Sequence, residues 1–151
     1  MVVHGDGSSL WVLTHHRDFA KGLVGLLGNS HAIGESFHIT SDELLTWNQI
    51  HEIVARAART EARLVHLPSE LIAAFDATWG ASLLGDKTHS VVFDNSKIKR
   101  IVPDFAATIP FSRGAEEVMA WYDADPARQV VDERLDALMD RMIAAYRSIW
   151  P

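Results

Sequence analysis

The 151-residue sequence contains no cysteine, which excludes disulfides, a thiol nucleophile and thiolate metal sites. It has no apolar run approaching the ~18 residues that a membrane-spanning helix needs, so no membrane partner is expected. Its first residues, Met1-Val2-Val3-His4-Gly5-Asp6, lack the basic stretch and apolar core of a secretory leader, which makes the cytoplasm the default location. Positive charge is not in excess either. The net charge is −6 with acids and bases interspersed, which argues against nucleic acid and for a small-molecule ligand. No GxSxG, HExxH or P-loop pattern occurs.

The length and the 48% hydrophobic content suit one domain over residues 1–151. Periodicity predicts a strand at Leu10–Thr14, then a helix over Asp18–Leu27 with Phe19, Leu23, Leu26 and Leu27 on one face and Gly28-Asn29 at its end. Glu35–Thr40 alternates around Phe37 and Ile39 as a strand does. Thr46 and Gln49 form a T-x-x-Q capping box ahead of Trp47, Ile50, Ile53, Val54 and Ala57 at helical spacing. Arg63–Leu67 reads as a short strand stopped by Pro68, and Ser69–Phe75 as a helix. Gly80–Ser90 has few periodic apolar positions and reads as loop or broken helix, the segment expected to move most. Val91–Phe93 reads as a brief strand. Asp94 or Ser96 can cap a helical turn through Ile101, and Ser112 a helix turning Ala115, Val118, Met119 and Tyr122 inward. From Pro126 one long helix is expected, burying Val131, Leu135, Leu138, Met142, Ala145 and Ile149. The fold class is α+β, with short strands scattered among five or six helices.

Few residues point to chemistry on their own. Gly22-Leu23-Val24-Gly25-Leu26-Leu27-Gly28 has dinucleotide-loop spacing, and Asp42 follows at a plausible distance. Such a loop needs a buried strand running straight into its first glycine, so that a helix N-terminus meets the phosphates. Here His16-Arg17-Asp18-Phe19-Ala20-Lys21 precedes Gly22, and the glycines read instead as small residues on a packed helix. The histidines, including His15-His16, His38 and His51, form no ligand spacing, so no metal is assigned. Most of the five tryptophans are expected in the core, Trp47 and Trp121 among them, with Trp11 the exception.

Three motifs in order carry a resemblance. Val2-Val3-His4-Gly5-Asp6-Gly7-Ser8, a strand and His16-Arg17-Asp18-Phe19-Ala20 resemble, without a gap from Gly5 to Ala20, the extended short-chain dehydrogenase pattern of strand, G-D-G, strand and D-D-V-A. Phe37-His38-Ile39-Thr40-Ser41 with Thr46 is similar to that family's "N-I-G-S-G…S/T" helix entry. Asp94-Asn95-Ser96-Lys97 with Pro103, Gly114 and Trp121-Tyr122 resembles its "D-x-S-K…G…W-Y" tail.

The resemblance implies the carboxy-terminal, substrate-binding part of an NAD-dependent epimerase/dehydratase, an α/β NAD(P)-binding extended short-chain dehydrogenase whose complete Rossmann half is absent here. NAD(P) would belong to an upstream dinucleotide-binding half, with no cofactor-binding or catalytic residue in this chain. The family's tyrosine with a lysine four residues later, in which the ammonium lowers the phenol pKa, is missing: Tyr122 is followed at that distance by Pro126, and Tyr146 by Trp150. Where nucleotide-sugar epimerases carry a diphosphate-binding arginine, Trp11 stands here. A second arginine is absent, leaving Lys87 and His89 as the nearest cations. Trp11, Lys87 and His89 are thus expected to line the substrate cleft, with Trp11 offering a flat wall for a sugar or another ring. Asp18 is expected to be a helix N-cap. The rival expectation is a free-standing, non-catalytic binding or interaction module. Exposed apolar surface and the stripe after Pro126 predict a homo-oligomer.

Without the phosphate loop and the Tyr/Lys pair, the chain alone is expected to show neither measurable NAD affinity nor turnover of any nucleotide sugar. A micromolar NAD dissociation constant by titration calorimetry contradicts this.

Overall fold

A computed structural model describes residues 1–149, which are 55% helical and 7% strand. Strand β1 (Val2–His4) pairs in parallel with β4 (Val65–Leu67), Val2 opposite Val65 and His4 opposite Leu67. Strand β2 (Leu10–Trp11) pairs antiparallel with β3 (Leu45–Thr46). Among the described residues, seven α-helices surround these pairs: α1 (His16–Leu26), α2 (Trp47–Ala57), α3 (Ser69–Phe75), α4 (Ala77–Ser82), α5 (Ser96–Ile101), α6 (Phe111–Asp123) and α7 (Glu133–Ile149).

The capping box is present as expected, with the Gln49 N–H donating to Thr46 Oγ1 and the Thr46 N–H to Gln49 Oε1. It starts α2, whose Ile50 and Ala55 are buried. Helix α3 begins at Ser69, directly after Pro68. Gly80–Ser90 is a broken helix rather than a loop: α4 runs into a π-helical turn at Leu83–Lys87. Leu83 enters the core, and Gly80 lies so close to Ala73 that a Cβ would collide with it.

The main core gathers Val2, Leu67, Ile72, Leu83 and Met142, with Leu138, Met139, Ile143 and Tyr146 of α7 packed against it. The centre of the carboxy-terminal stripe is therefore spent inside the chain. Its ends are not: Val131, Leu135 and Ile149 are exposed. Pro126–Arg128 forms a separate 3-10 turn, so the long helix starts only at Glu133. A burial of the whole stripe requires one straight helix, and the break before Glu133 removes its first turn.

Other expectations give way to tertiary contacts. Phe19, Leu23 and Leu27 are exposed, while Asp18 and Gly22 form the buried face of α1. The glycines pack closely, Gly22 against Ile39 and Phe105 and Gly25 against Val102, leaving no room there for a phosphate. Glu35–Thr40 and Val91–Phe93 form no strand, although the Val91 N–H donates to the Leu10 carbonyl. Pro110, not Ser112, precedes α6, whose Ala115 is buried and whose Val118 and Trp121 face outward. Trp150 lies outside the described residues. Among the described residues no helix is long and apolar enough to cross a membrane.

Met142 is fully enclosed by this core. Met142→Ala is therefore expected to cost about 2–5 kcal/mol in urea unfolding. Val131→Ala, at an exposed end of the stripe, is expected to change stability by less than ~0.5 kcal/mol.

Candidate functional site

The G-D-G motif is a turn that joins β1 to β2. Gly5 and Gly7 adopt φ of 57° and 70°, values that favour glycine. Asp6 accepts from the Ser8 N–H at 2.9 Å, and Asn48 Nδ2 donates to the Asp6 carbonyl at 2.9 Å. A side chain at Gly7 would collide with Asn48, which also bonds His66. The motif thus fixes β2 against the start of α2.

That placement assembles an aromatic cluster. The Trp11 and Trp47 ring centroids lie 5.6 Å apart, His4 meets Trp47 edge-on at 5.2 Å, and His51 lies 6.2 Å from Trp47. Lys87 Nζ stands 5.7 Å from the Trp11 ring, within cation–π range. The end of the π-helical turn is tied down here, because the Lys87 carbonyl accepts from His4 Nε2 and Ser9 Oγ, each at 2.9 Å. The Trp47 indole nitrogen is enclosed and finds no acceptor among the described residues. Of the three expected site residues, Trp11 and Lys87 come together; His89 is solvent-exposed, and its backbone N–H donates to the Asp86 carbonyl. His4, Trp47 and His51 were missed by the sequence reading. Their only signal was the pairing of an apolar strand with a tryptophan at the first turn of α2.

Burial lowers the pKa of His4, which the neighbouring Lys87 charge reinforces and the bond to the Lys87 carbonyl partly offsets. His51 is lowered by burial too, and by the nearby His4 and amino-terminal charges. Both imidazoles are therefore kept neutral, and His4 holds its proton on Nε2, facing the carbonyl.

Away from this cluster, a cleft of about 540 Å³ opens between Leu13–His16 and α6, walled by Phe111, Val118 and Trp121. His15 sits at its floor with both nitrogens engaged: the Arg17 N–H donates to Nδ1 at 3.2 Å, and Nε2 lies 3.1 Å from Glu117. His15 is thus the side-chain cap of α1, the role expected of Asp18. Asp18 lies in the first turn instead and is wholly buried. It accepts from Lys21 Nζ at 2.6 Å and from the Ile109 N–H at 2.8 Å. Burial alone would raise its carboxyl, but these bonds outweigh it, and the net shift is downward.

The remaining motifs meet one another rather than a ligand. Asn95 Nδ2 donates to the Thr40 carbonyl and to Asp42, and Lys99 holds the same carboxylate at 2.8 Å. Asp42 is therefore already paired and does not serve a ribose. Among the described residues no group of three or more His, Asp or Glu side chains could hold a metal ion.

No protein-family model matches this chain, and no curated protein sequence matches it. Solved structures do. The chain superposes on UDP-glucuronic acid 4-epimerase from Bacillus cereus in complex with NAD with a TM-score of 0.56 at 20% identity, over 76% of this chain and 31% of that one. For the same enzyme with UDP-glucuronic acid and NAD the TM-score is 0.58 at 22% identity, over 76% and 32%. The fold is thus similar to part of such an epimerase, and the chain spans about a third of the length of those structures.

Two consequences follow for solution behaviour. Because His4 and His51 titrate lower in the folded chain than their ordinary value of 6.5, unfolding takes up protons as pH falls below about 6.5. Their contribution is complete above that pH and lost on descent toward the folded values. Tm measured from pH 7.5 to 5 is expected to fall, and His4→Gln to flatten the decline. Asp18→Ala leaves the Ile109 N–H without its acceptor and removes one of the Lys21 partners, and is expected to cost about 1–3 kcal/mol by chemical denaturation.

Proposed function

We propose that this chain is the substrate-binding region of an NAD-dependent epimerase/dehydratase that acts on a sugar nucleotide or a related hydroxyl compound. The observation that carries the reading is the superposition on UDP-glucuronic acid 4-epimerase, together with three family motifs in the right order. Each of those motifs has a structural task here: the G-D-G turn sets β2, Asp18 anchors α1 to the segment before α6, and Asn95 joins α5 to residues 40–42.

The residues present do not fit NAD itself. Gly22 and Gly25 are filled against by Ile39, Phe105 and Val102, and no tyrosine has its lysine. The cofactor, which would supply transient oxidation of a carbinol, belongs in this reading to an upstream dinucleotide-binding half. What this chain contributes is a wall. The Trp11 face presents an apolar surface suited to a sugar ring, and Lys87 adds one cation beside it. With a tryptophan in place of a bidentate arginine, binding rests on the ring rather than the diphosphate.

The test uses UDP-glucuronic acid and methyl glucuronide as probes, followed by tryptophan fluorescence and NMR shifts. Both are expected to perturb Trp11 and Trp47 with millimolar affinity and less than a ~10-fold preference for the diphosphate compound. Trp11→Ala is expected to weaken both by about 10-fold, as the loss of a stacked ring does. Shifts confined to the cleft beside Trp121, or none with either probe, contradict the reading.

A further inference from the structure

The chain has four lysines. Lys21, Lys97 and Lys99 each hold a carboxylate at 2.6–2.8 Å, that of Asp18, Glu35 and Asp42 respectively. Lys87 differs. Among the described residues its ammonium has no such partner, the Asp86 carboxylate being 3.8 Å away. Its side chain is nevertheless only 33% exposed and stands over the Trp11 ring, 5.7 Å from the centroid. An ammonium kept close to the protein with no anion on it has donors to spare.

Its place is fixed by the backbone. Lys87 closes the π-helical turn, and the last carbonyls of a helix lack partners within it. The Lys87 carbonyl takes two from elsewhere, His4 Nε2 and Ser9 Oγ, each at 2.9 Å. On its other side the Thr88 N–H donates to the Leu83 carbonyl, and the Thr88 hydroxyl bonds that of Ser69 at 2.7 Å. Only the Lys87 side chain is left free to swing.

That swing is needed whenever a ring stacks on Trp11. Stacked atoms lie ~3.5–4 Å apart, so a ring over this face would leave the ammonium, at 5.7 Å, with only ~2 Å of clearance. A neutral ring displaces the cation and returns nothing for the lost cation–π contact. A ring that carries a carboxylate returns an ion pair to an ammonium that holds none. A diphosphate, with more than one charge, calls for the bidentate donors that this chain lacks at position 11. The imidazoles nearby add no competing cation, since burial keeps His4 and His51 neutral.

We propose that Lys87 is the specificity-determining residue of this site and selects a sugar acid over the neutral sugar, with His4 and Ser9 as the positioning residues that hold it over Trp11. The inference rests on the reading of Trp11 as a sugar-stacking wall and names the class of sugar.

The test titrates methyl glucuronide, methyl glucoside and UDP-glucose into the chain at low salt, followed by NMR shifts of the Trp11 indole. The lost cation–π contact and the gained ion pair are each worth a few-fold, so methyl glucuronide is expected to bind about 10-fold tighter than methyl glucoside. The preference is expected to fall at least ~2-fold in 1 M salt. Lys87→Met is expected to cut it below ~3-fold by weakening methyl glucuronide and not methyl glucoside, and Lys87→Arg to keep it. His4→Ala and Ser9→Ala are each expected to lower it at least ~2-fold with methyl glucoside affinity unchanged, which a general loss of structure would not spare. His4→Gln, which retains a donor, is expected to restore it. Equal binding of the two methyl glycosides at Trp11, or a preference that survives Lys87→Met, overturns this inference and leaves the stacking wall standing. A preference indifferent to both His4→Ala and Ser9→Ala overturns the positioning role. UDP-glucose that outbinds methyl glucuronide and loses its advantage with Lys87→Met assigns Lys87 to the diphosphate and overturns the proposal. No shift at Trp11 with any of the three probes overturns the wall and the proposal together.

Discussion

The parallel pairing of β1 with β4 is the constraint on which the rest of this fold depends. Only three residues on each side take part, yet they join positions 2–4 to positions 65–67. Val2 and Leu67 then seed the core that collects Ile72, Leu83 and Met142. So short a ladder has little stability of its own; it persists because apolar side chains from α3, α7 and the π-helical turn close over it. The same pairing sets where His4 emerges, and His4 in turn holds the Lys87 carbonyl and the edge of Trp47.

Polar anchors decide how the surrounding helices lie. Helix α1 could bury its apolar stripe, but burying Asp18 with bonds from Lys21 and Ile109 commits the opposite choice. A buried carboxylate must be fully paired, so its partners must be at hand wherever it goes. Once Asp18 is turned inward, the glycines one and two turns on follow it and permit close packing on Ile39 and Val102. Phe19, Leu23 and Leu27 are left outside as a consequence.

The aromatic cluster is likewise assembled by distant partners. Trp11 and Trp47 come together with two imidazoles and one lysine, a set that can stack on a ring.

Local rules sufficed wherever a helix was specified by its own residues. The Thr46/Gln49 box, the start of α3 after Pro68 and the helix at Ser96–Ile101 were all legible, because capping and proline act within a turn or two. The order of the G-D-G, F-H-I-T-S and D-N-S-K motifs was legible as well, and with it the broad fold, together with Trp11 and Lys87 as neighbours. What the sequence alone could not decide were outcomes that depend on distant partners. Periodicity ranks faces by hydrophobicity, and it cannot see that Ile109, ninety-one residues away, supplies the N–H that turns Asp18 inward. Alternation marked 35–40 as strand-like, but pairing is a property of two segments, and the described residues hold no partner for it. The burial of Met142 against the exposure of Val131 was likewise settled by where α7 meets β4 and α3. Tertiary packing, which weighs every face against all the others at once, made those choices.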